Sequence, residues 1–234
     1  MNDDRSTGGI TQRREVRVAG VDEAGRGCAI GPLVIAGALF EEETLRTLRE
    51  IGVKDSKKLS PKKRLKLVEE IKEIAIDYRV YELQPWAIDH VVFRSVPLRR
   101  LNYLETMIMA RLIRELHPDA AHVDPADVDN LRCAEQIQSV IRYKIDIKCE
   151  PRADAKYVAT GAASIIAKTT RDQRIAELRE KHGDFNSGYS SDEKTQRYIA
   201  EYFSAHNECP DFIRASWSTV QRHMKPVKQT KLTP

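Results

Sequence analysis

The stretch that most constrains the fold spans residues 17–40 and reads RVAGVDEAGRGCAIGPLVIAGALF. Two apolar runs, Val16–Val21 and Leu33–Phe40, have the composition of buried strands. Between the runs lie an acidic pair and a glycine-rich turn, formed by Asp22, Glu23, Gly25, Arg26, Gly27 and Gly31. Carboxylates at the end of a buried strand are costly to desolvate unless a cation or hydrogen bonds compensate, and glycines let a backbone or a phosphate approach. The stretch therefore predicts a metal-dependent site for a negatively charged substrate.

The length and composition are typical of a soluble globular protein. The 234 residues suffice for one sizeable domain, or for one domain with a small appendage. Apolar residues make up 41% and charged residues 32%, and no apolar run approaches the roughly 18 residues that span a membrane. The polar N-terminus differs from a secretory signal, so we expect a flexible segment over residues 1–16 and no membrane association.

The cysteines are scattered and show no CxxC spacing; they are Cys28, Cys133, Cys149 and Cys209. Zinc ribbons and disulfide-rich secreted domains need paired or regularly spaced cysteines. The pattern favours a reducing cytosol, and we therefore expect a cytoplasmic protein.

The net charge of +4 is too small to establish nucleic-acid binding, but the basic residues are unevenly distributed. The tail is basic over residues 222–231. A second basic cluster consists of Lys54, Lys57, Lys58, Lys62, Lys63, Arg64 and Lys66. A solvated, lysine-rich helix start is one explanation of this cluster. A surface that follows phosphates is the other, and it becomes favoured only if a catalytic centre lies beside it.

Hydrophobic periodicity and turn residues predict a mixed sheet of five strands flanked by helices, an α/β or α+β layer architecture. The predicted strands are 16–21, 33–40, 76–83, 120–123 and 143–149. The predicted helices are 41–51, 61–75, 86–91, 97–117, 130–141, 153–181, 192–206 and 216–223. The second of these helices has Ser60 as a favourable N-cap and Pro61 in its first turn.

Two further carboxylates stand at the ends of predicted elements. Asp124 follows a strand, and Asp154 lies in the first turn of a long helix. Each has a structural explanation, because Asp124 precedes Pro125 in a turn and a carboxylate is favoured at a helix N-terminus. Together with Asp22 and Glu23, they could instead hold two Mg²⁺ or Mn²⁺ ions for an in-line phosphoryl displacement.

Other acidic residues stay open as alternative ligands; they are Asp127, Asp129, Asp146 and Asp172. His122 could share a strand face with Asp124, two residues later. A lone histidine in a strand is more often a packing residue, so we leave His122 outside the ligand set.

The opening block, GVDEAGRGCAIGPLVIAG, closely resembles the signature of the type 2 ribonucleases H, the ribonuclease HII family. The resemblance continues in KDSKKLSPKKR, HVDPADVD, RADAKYVATGAASIIAKTTRD and FNSGYSSD, which follow in the family's order. These blocks extend from Val18 to Trp217, nearly the whole chain, and resemble the archaeal single-chain form. The resemblance implies a ribonuclease H-like mixed five-stranded sheet with a small C-terminal helical part. We therefore expect a catalytic domain over 17–182, a helical part over 183–223 and a basic tail over 224–234.

The resemblance also implies an activity and its ligands. Members of the family hydrolyse the RNA strand of RNA–DNA hybrids and incise 5′ of ribonucleotides embedded in duplex DNA. They leave 3′-hydroxyl and 5′-phosphate ends, depend on Mg²⁺ or Mn²⁺, and serve ribonucleotide excision repair and DNA replication. Two ions are expected in the catalytic complex, and a monomer is the expected state.

Matched position by position, the family's functional residues fall on this chain as follows. The four metal-binding acids fall on Asp22, Glu23, Asp124 and Asp154. The element that reads the ribose 2′-hydroxyl, largely through backbone groups, falls on Gly25, Arg26 and Gly27. The tyrosine that stacks at the RNA–DNA junction falls on Tyr189, and phosphate contacts fall on Ser56, Lys57 and Lys58.

The chain departs from the family at three places. Ser190 follows the tyrosine where proline is frequent, which predicts a freer loop. Thr160 and Gly161 replace alanines, and glycine within a helix predicts a stability loss of up to about 1 kcal/mol. The tail MKPVKQTKLTP has no aromatic residue, so we expect no binding to a sliding clamp through it.

Two rival functions remain open from the sequence. A non-catalytic nucleic-acid-binding subunit would explain the basic residues but gives no reason for four convergent acids, which repel phosphate without a metal. Another nuclease on the same fold would use acids on a sheet but would lack the DEAGRG turn and the tyrosine loop.

Overall fold

The computed structural model describes residues 15–53, 60–94, 96, 100–126 and 129–224. One mixed sheet of five strands organises these residues, in the spatial order β3-β2-β1-β4-β5. Strands β1, β2 and β3 pair antiparallel to one another, whereas β4 and β5 run parallel to β1. The strands are β1 (Arg17–Ala24), β2 (Leu33–Glu41), β3 (Asp77–Leu83), β4 (Ala120–Val123) and β5 (Asp146–Cys149). The predicted mixed five-stranded sheet is confirmed.

The helices cover both faces of the sheet. In chain order they are α1 (Leu45–Glu50), α2 (Pro61–Ile74), α3 (Pro85–Arg94), α4 (Leu101–Leu116), α5 (Asn130–Val140), α6 (Ala153–Lys156), α7 (Val158–His182), α8 (Glu193–Ala205) and α9 (Ser218–Gln221). One hydrophobic cluster joins a sheet face to α1, α2 and α7, and a second joins the other face to α4 and α5. A third cluster lies mainly in the C-terminal part, around Phe185, Phe203 and Phe212.

Local sequence signals explain several helix starts. Ser60 accepts a hydrogen bond from the Lys63 amide at 3.4 Å, as its predicted N-cap role requires. Asp192 caps α8 by accepting from the amides of Lys194 and Thr195. These caps satisfy amides that a helix leaves without partners at its N-terminus.

The segment 153–181, expected to be predominantly helical, is interrupted at Tyr157, which has extended backbone angles of φ −113° and ψ 118°. The Tyr157 ring stacks on His122 with 4.0 Å between ring centroids, and its hydroxyl donates to Glu150 at 2.6 Å. The interruption therefore follows from tertiary contacts that helical periodicity does not encode. It separates the short α6, which carries Asp154, from α7.

The last strand is shorter than expected and begins at Asp146 instead of Tyr143. It pairs with β4, which has only four residues. Tyr143 instead stacks on His117 and donates its hydroxyl to the Ile113 carbonyl at 3.2 Å. The predicted start of the fourth helix at Pro97 lies outside the described residues, and the described helix begins at Leu101.

The long helix α7 lies directly against β1 because Gly20 has no side chain. A Cβ atom at Gly20 would lie 2.1 Å from the backbone of Ala159. Gly161 has a similar role, since its Cβ would lie 3.0 Å from the Asp154 carbonyl oxygen. Gly161, for which the sequence predicted only a loss of stability, therefore also lets α7 pass close to α6, which carries Asp154.

No helix within the described ranges combines the length and the apolar character needed to cross a membrane.

Candidate active site

Three carboxylates meet at one edge of the sheet. Asp22 lies near the end of β1, Asp124 follows β4, and Asp154 is in the first turn of α6; one oxygen of each lies within 4.8 Å of the others. Val21 pairs with Val123 in the parallel register, and the Asp124 amide donates to the Val21 carbonyl at 3.0 Å. Because parallel strands end at the same edge, this register brings Asp22 and Asp124 together.

The chain reaches Asp154 through a tight connection after β5. The Glu150 amide donates to the Val123 carbonyl at 3.1 Å, which continues the pairing beyond the strand. Arg152 then has a left-handed backbone with φ 59°, and its amide donates to Asp124 Oδ1 at 3.1 Å. This connection orients one carboxylate and places the next, Asp154, beside it.

Glu23 lies beside the three-carboxylate group, although it is not one of the three residues whose oxygens meet. Its amide donates to Asp22 Oδ1 at 2.8 Å. Its Oε2 atom is buried and has no hydrogen-bond partner among the described residues. Burial raises the pKa of Glu23 to about 9, and the charges of Asp22, Glu105 and Asp124 add to this shift. An unpartnered, buried carboxylate oxygen is a suitable donor for a divalent cation.

Asp22 is contacted by the inner face of α7. Burial raises the pKa of Asp22 to about 7, while a hydrogen bond from Ser164 and the charge of Lys168 oppose the rise. Lys168 Nζ donates to Ser164 Oγ at 2.7 Å and lies 3.9 Å from Asp154 Oδ2. Ser164 and Lys168 of α7 thus place polar groups next to Asp22 and Asp154.

The donor set fits a hard divalent cation. Desolvation opposes the ionised form of Asp22 and Glu23 and raises the pKa of both, and a cation of charge +2 would offset that cost. Oxygen donors are the ligands that Mg²⁺ and Mn²⁺ prefer.

The alternative acids that the structure describes lie in other contacts. Asp129 caps α5, Asp146 lies 3.8 Å from Lys148, and Asp172 is paired with Arg64 and Arg171. Asp127 lies outside the described residues. His122 is stacked on Tyr157 and is not in the group of three acids.

The glycine-rich turn follows Glu23 by two residues and is held by a buried arginine. Gly25 has φ +84°, and a Cβ there would lie 2.9 Å from the Pro32 carbonyl oxygen. The Arg214 guanidinium, which is fully buried, donates to three carbonyls: Gly25 and Arg26 at 2.8 Å each and Gly31 at 3.0 Å. Burial lowers the pKa of Arg214 to about 10, so it stays charged at neutral pH.

The tyrosine loop packs on the same turn. Tyr189 forms an antiparallel bridge with Cys28, and a Cβ atom at Gly27 would lie 3.6 Å from the Tyr189 ring. The Arg171 guanidinium lies 5.0 Å from the centre of that ring. The loop therefore places an aromatic ring next to the turn.

The expectation of a freer loop at Ser190 is wrong. The Ser190 amide and hydroxyl both donate to the Gly27 carbonyl, at 3.2 and 2.9 Å. Proline has no amide hydrogen and no hydroxyl, so it could form neither bond. The serine therefore fastens the loop to the glycine turn.

Four residues of the site escaped the sequence analysis. Ser164 and Lys168 lie four residues apart on α7, a spacing that places them on one helix face, but the apolar segment AASIIA indicated only a buried middle. Arg214 and Glu105 gave no motif.

The expected phosphate contacts, Ser56, Lys57 and Lys58, lie outside the described residues. The neighbouring Lys62 and Lys63 are exposed at the start of α2.

Comparisons with known proteins show the family of the chain. A profile of the family described as Ribonuclease HII matches residues 19–220. Ribonuclease HII of Pyrococcus furiosus is 42% identical over 216 residues, covering 92% of this chain and 95% of that relative. Ribonuclease HII of Methanothermobacter thermautotrophicus is 41% identical over 210 residues, covering 88% and 98%.

Solved structures agree in fold. Ribonuclease H2 of Pyrococcus horikoshii superposes with a TM-score of 0.82 at 41% identity, over 89% of this chain and 97% of that one. The ribonuclease HII in a complex with PCNA from Archaeoglobus fulgidus gives 0.78 at 38% identity, over 86% and 95%. The ribonuclease H-like fold is thereby confirmed. The chain belongs to the ribonuclease HII family and is a hydrolase of the type 2 ribonuclease H class.

Proposed function

We propose that this protein is a metal-dependent endonuclease that hydrolyses the RNA strand of RNA–DNA hybrids and incises 5′ of ribonucleotides embedded in duplex DNA. Its products carry 3′-hydroxyl and 5′-phosphate ends. The observation that supports this proposal most strongly is the meeting of three carboxylates, with Glu23 beside them, directly next to a glycine turn. The family as a whole depends on divalent metal ions.

The proposed metal ligands are the four acids of the sheet edge: Asp22, Glu23, Asp124 and Asp154. When bound, two Mg²⁺ or Mn²⁺ ions supply an activated water molecule and stabilise the leaving oxygen of an in-line displacement. The protein's own contribution is to hold the acids in place. Lys168 and Ser164 orient Asp22 and Asp154 through the contacts from α7.

The turn of Gly25, Arg26 and Gly27 is the proposed reader of the ribose. An enzyme that distinguishes RNA from DNA must contact the 2′-hydroxyl. A turn without side chains at two of its three positions lets backbone groups approach the sugar edge. Since the turn begins two residues after Glu23, reading the hydroxyl also positions the adjacent phosphate at the acids, and such positioning contributes several kcal/mol to lowering a barrier.

The remaining contacts complete the proposed substrate path. Tyr189 stacks beside the sugar that follows the ribonucleotide, and Ser56, Lys57 and Lys58 contact backbone phosphates. Phosphate contacts of this kind are independent of sequence and sensitive to salt. We further propose that residues 17–182 form the catalytic domain, that 183–223 form the part that closes over the substrate, and that the protein acts as a monomer.

The decisive test uses a labelled DNA duplex with one embedded ribonucleotide and its all-DNA twin. With Mg²⁺ or Mn²⁺, we expect one cut at the 5′ side of the ribonucleotide, a 3′-hydroxyl end, and no cut in the twin. Chelation by EDTA should abolish the cut. Binding without cleavage would favour the non-catalytic subunit, and cleavage of only long hybrids would favour another nuclease on the same fold.

A further inference from the structure

Arg26 is the only residue of the Gly25–Arg26–Gly27 turn with a side chain, and that side chain is anchored on α4. Its Nε atom lies 3.0 and 3.1 Å from the two Glu105 carboxylate oxygens. Its Nη2 atom donates to Asn102 Oδ1 at 2.6 Å. Asn102 and Glu105 are three residues apart, so they lie on the same face of the helix.

Glu105 is enclosed by protein, whereas Arg26 is not. The Glu105 side chain is 0% exposed and the Arg26 side chain is 42% exposed. A carboxylate so deeply buried does not contact a substrate directly, and any effect on the reaction must pass through a neighbour. Arg26 is that neighbour, since both oxygens of Glu105 face its Nε atom.

Stability alone does not explain a carboxylate at this position. Desolvating an ion pair often costs as much as the pair returns, so an apolar side chain of similar volume is frequently as stabilising. The buried face of α4 is otherwise rich in apolar residues, among them Met109 and Leu112. A carboxyl group in such surroundings indicates that the position of Arg26 is what Glu105 determines.

The turn is held from two sides. Arg214 binds its carbonyls from the C-terminal part, and Glu105 holds its one side chain from α4. The flanking glycines restrict the backbone little, because glycine has the widest conformational freedom. Without the α4 anchor, the turn would be fixed on one side only.

We propose that Glu105, assisted by Asn102, is a positioning residue that fixes the hydroxyl-reading turn in one geometry through Arg26. This inference rests on the proposed function. It assigns to α4, a helix that carries none of the metal-binding acids, a role in the selectivity of cleavage.

The first test is E105M, which keeps the side-chain length and removes the charge. On the duplex with one ribonucleotide, we expect kcat to fall by about 10- to 100-fold, because small displacements of a positioning group cost that much. KM and the melting temperature should stay close to those of the wild type. E115M is the matched control, since Glu115 lies on the same helix and pairs with Arg111 away from the turn; its kcat should be unchanged.

A double-mutant cycle identifies the route of the effect. If Glu105 acts through Arg26, R26A and R26A/E105M should have the same kcat, because the second change removes a contact that is already lost. E105Q keeps one acceptor oxygen for Nε, should recover part of the activity, and provides the measurement if E105M does not fold. Losses that add in the double variant would overturn the inference, as would a lower melting temperature with a wild-type kcat. A wild-type protein that cuts no ribonucleotide substrate would instead defeat the proposed function.

Discussion

The two halves of the site are built in different ways. The acidic half is held by backbone register, because β1 and β4 run parallel and the connection after β5 returns directly to them. The glycine half is held by side chains from distant parts of the chain: Glu105, Ser190 and Arg214. Secondary structure therefore places the acids, whereas long-range hydrogen bonds hold the turn that we propose reads the ribose. Substitutions in the two halves should consequently have different effects on cleavage and on stability.

The largest effect is expected from D124N in the acidic half. The change preserves shape and removes one negative charge from the three-carboxylate group, so cleavage should fall by at least about a thousandfold, equivalent to several kcal/mol of barrier. Binding of the hybrid, measured by fluorescence anisotropy, should be retained. D129N is a matched control, because Asp129 caps a helix away from the group. Substantial residual cleavage by D124N would point to Asp127 as the true ligand.

The next effect is expected from G27A in the glycine half. A Cβ at Gly27 meets only the Tyr189 ring at 3.6 and 3.7 Å, an ordinary contact, so the folded protein should accept it. The added methyl group lies where the sugar would approach, and kcat should fall by about 100-fold through misplacement. Melting temperature and duplex affinity should change little. Equal losses of affinity and of turnover would show that the turn binds the substrate without positioning it.

R214K tests the anchor of the turn from the C-terminal side. Lysine keeps the charge but lacks the planar fork that reaches three carbonyls at once. We expect the free energy of unfolding, measured in urea, to fall by about 2–4 kcal/mol, because buried carbonyls lose their donors. R222K, at an exposed position, is the control. Unchanged stability would mean that the three contacts are not needed to hold the turn.

The smallest effect is expected from S190A, which removes one of two bonds to the Gly27 carbonyl. The hydrogen bond from the Ser190 amide to the Gly27 carbonyl remains. The activation barrier should therefore rise by about 1 kcal/mol, which lowers kcat a few-fold. S190P removes both bonds and should have the larger effect of the two variants. Identical kcat values for both variants and the wild type would show that Ser190 does not fasten the loop to the turn.

The acidic half was largely predictable, whereas in the glycine half the sequence pointed to the turn and to Tyr189 but not to the side chains that hold the turn. Apolar runs marked β1 and β2, and acids at strand ends and at a helix start pointed to Asp22, Asp124 and Asp154. The partners of the turn carried no local signal. Glu105 is one residue within a predicted helix, and Arg214 is an isolated arginine in the segment IRASW. The helix interruption at Tyr157 also depends on a ring contact with His122, which lies 35 residues earlier in the sequence. Local pattern predicts elements and their ends, whereas these contacts depend on how the elements pack.

The central claim is that the turn positions the phosphate for the acids instead of merely adding affinity. Measuring the affinity and single-turnover cleavage of the one-ribonucleotide duplex and its all-DNA twin tests this claim directly. D124N would be used for the binding measurement, so that neither duplex is cut. The account predicts similar Kd values for the two duplexes and cleavage of the ribonucleotide duplex alone. A twin that fails to bind would contradict it, because selectivity would then arise from affinity.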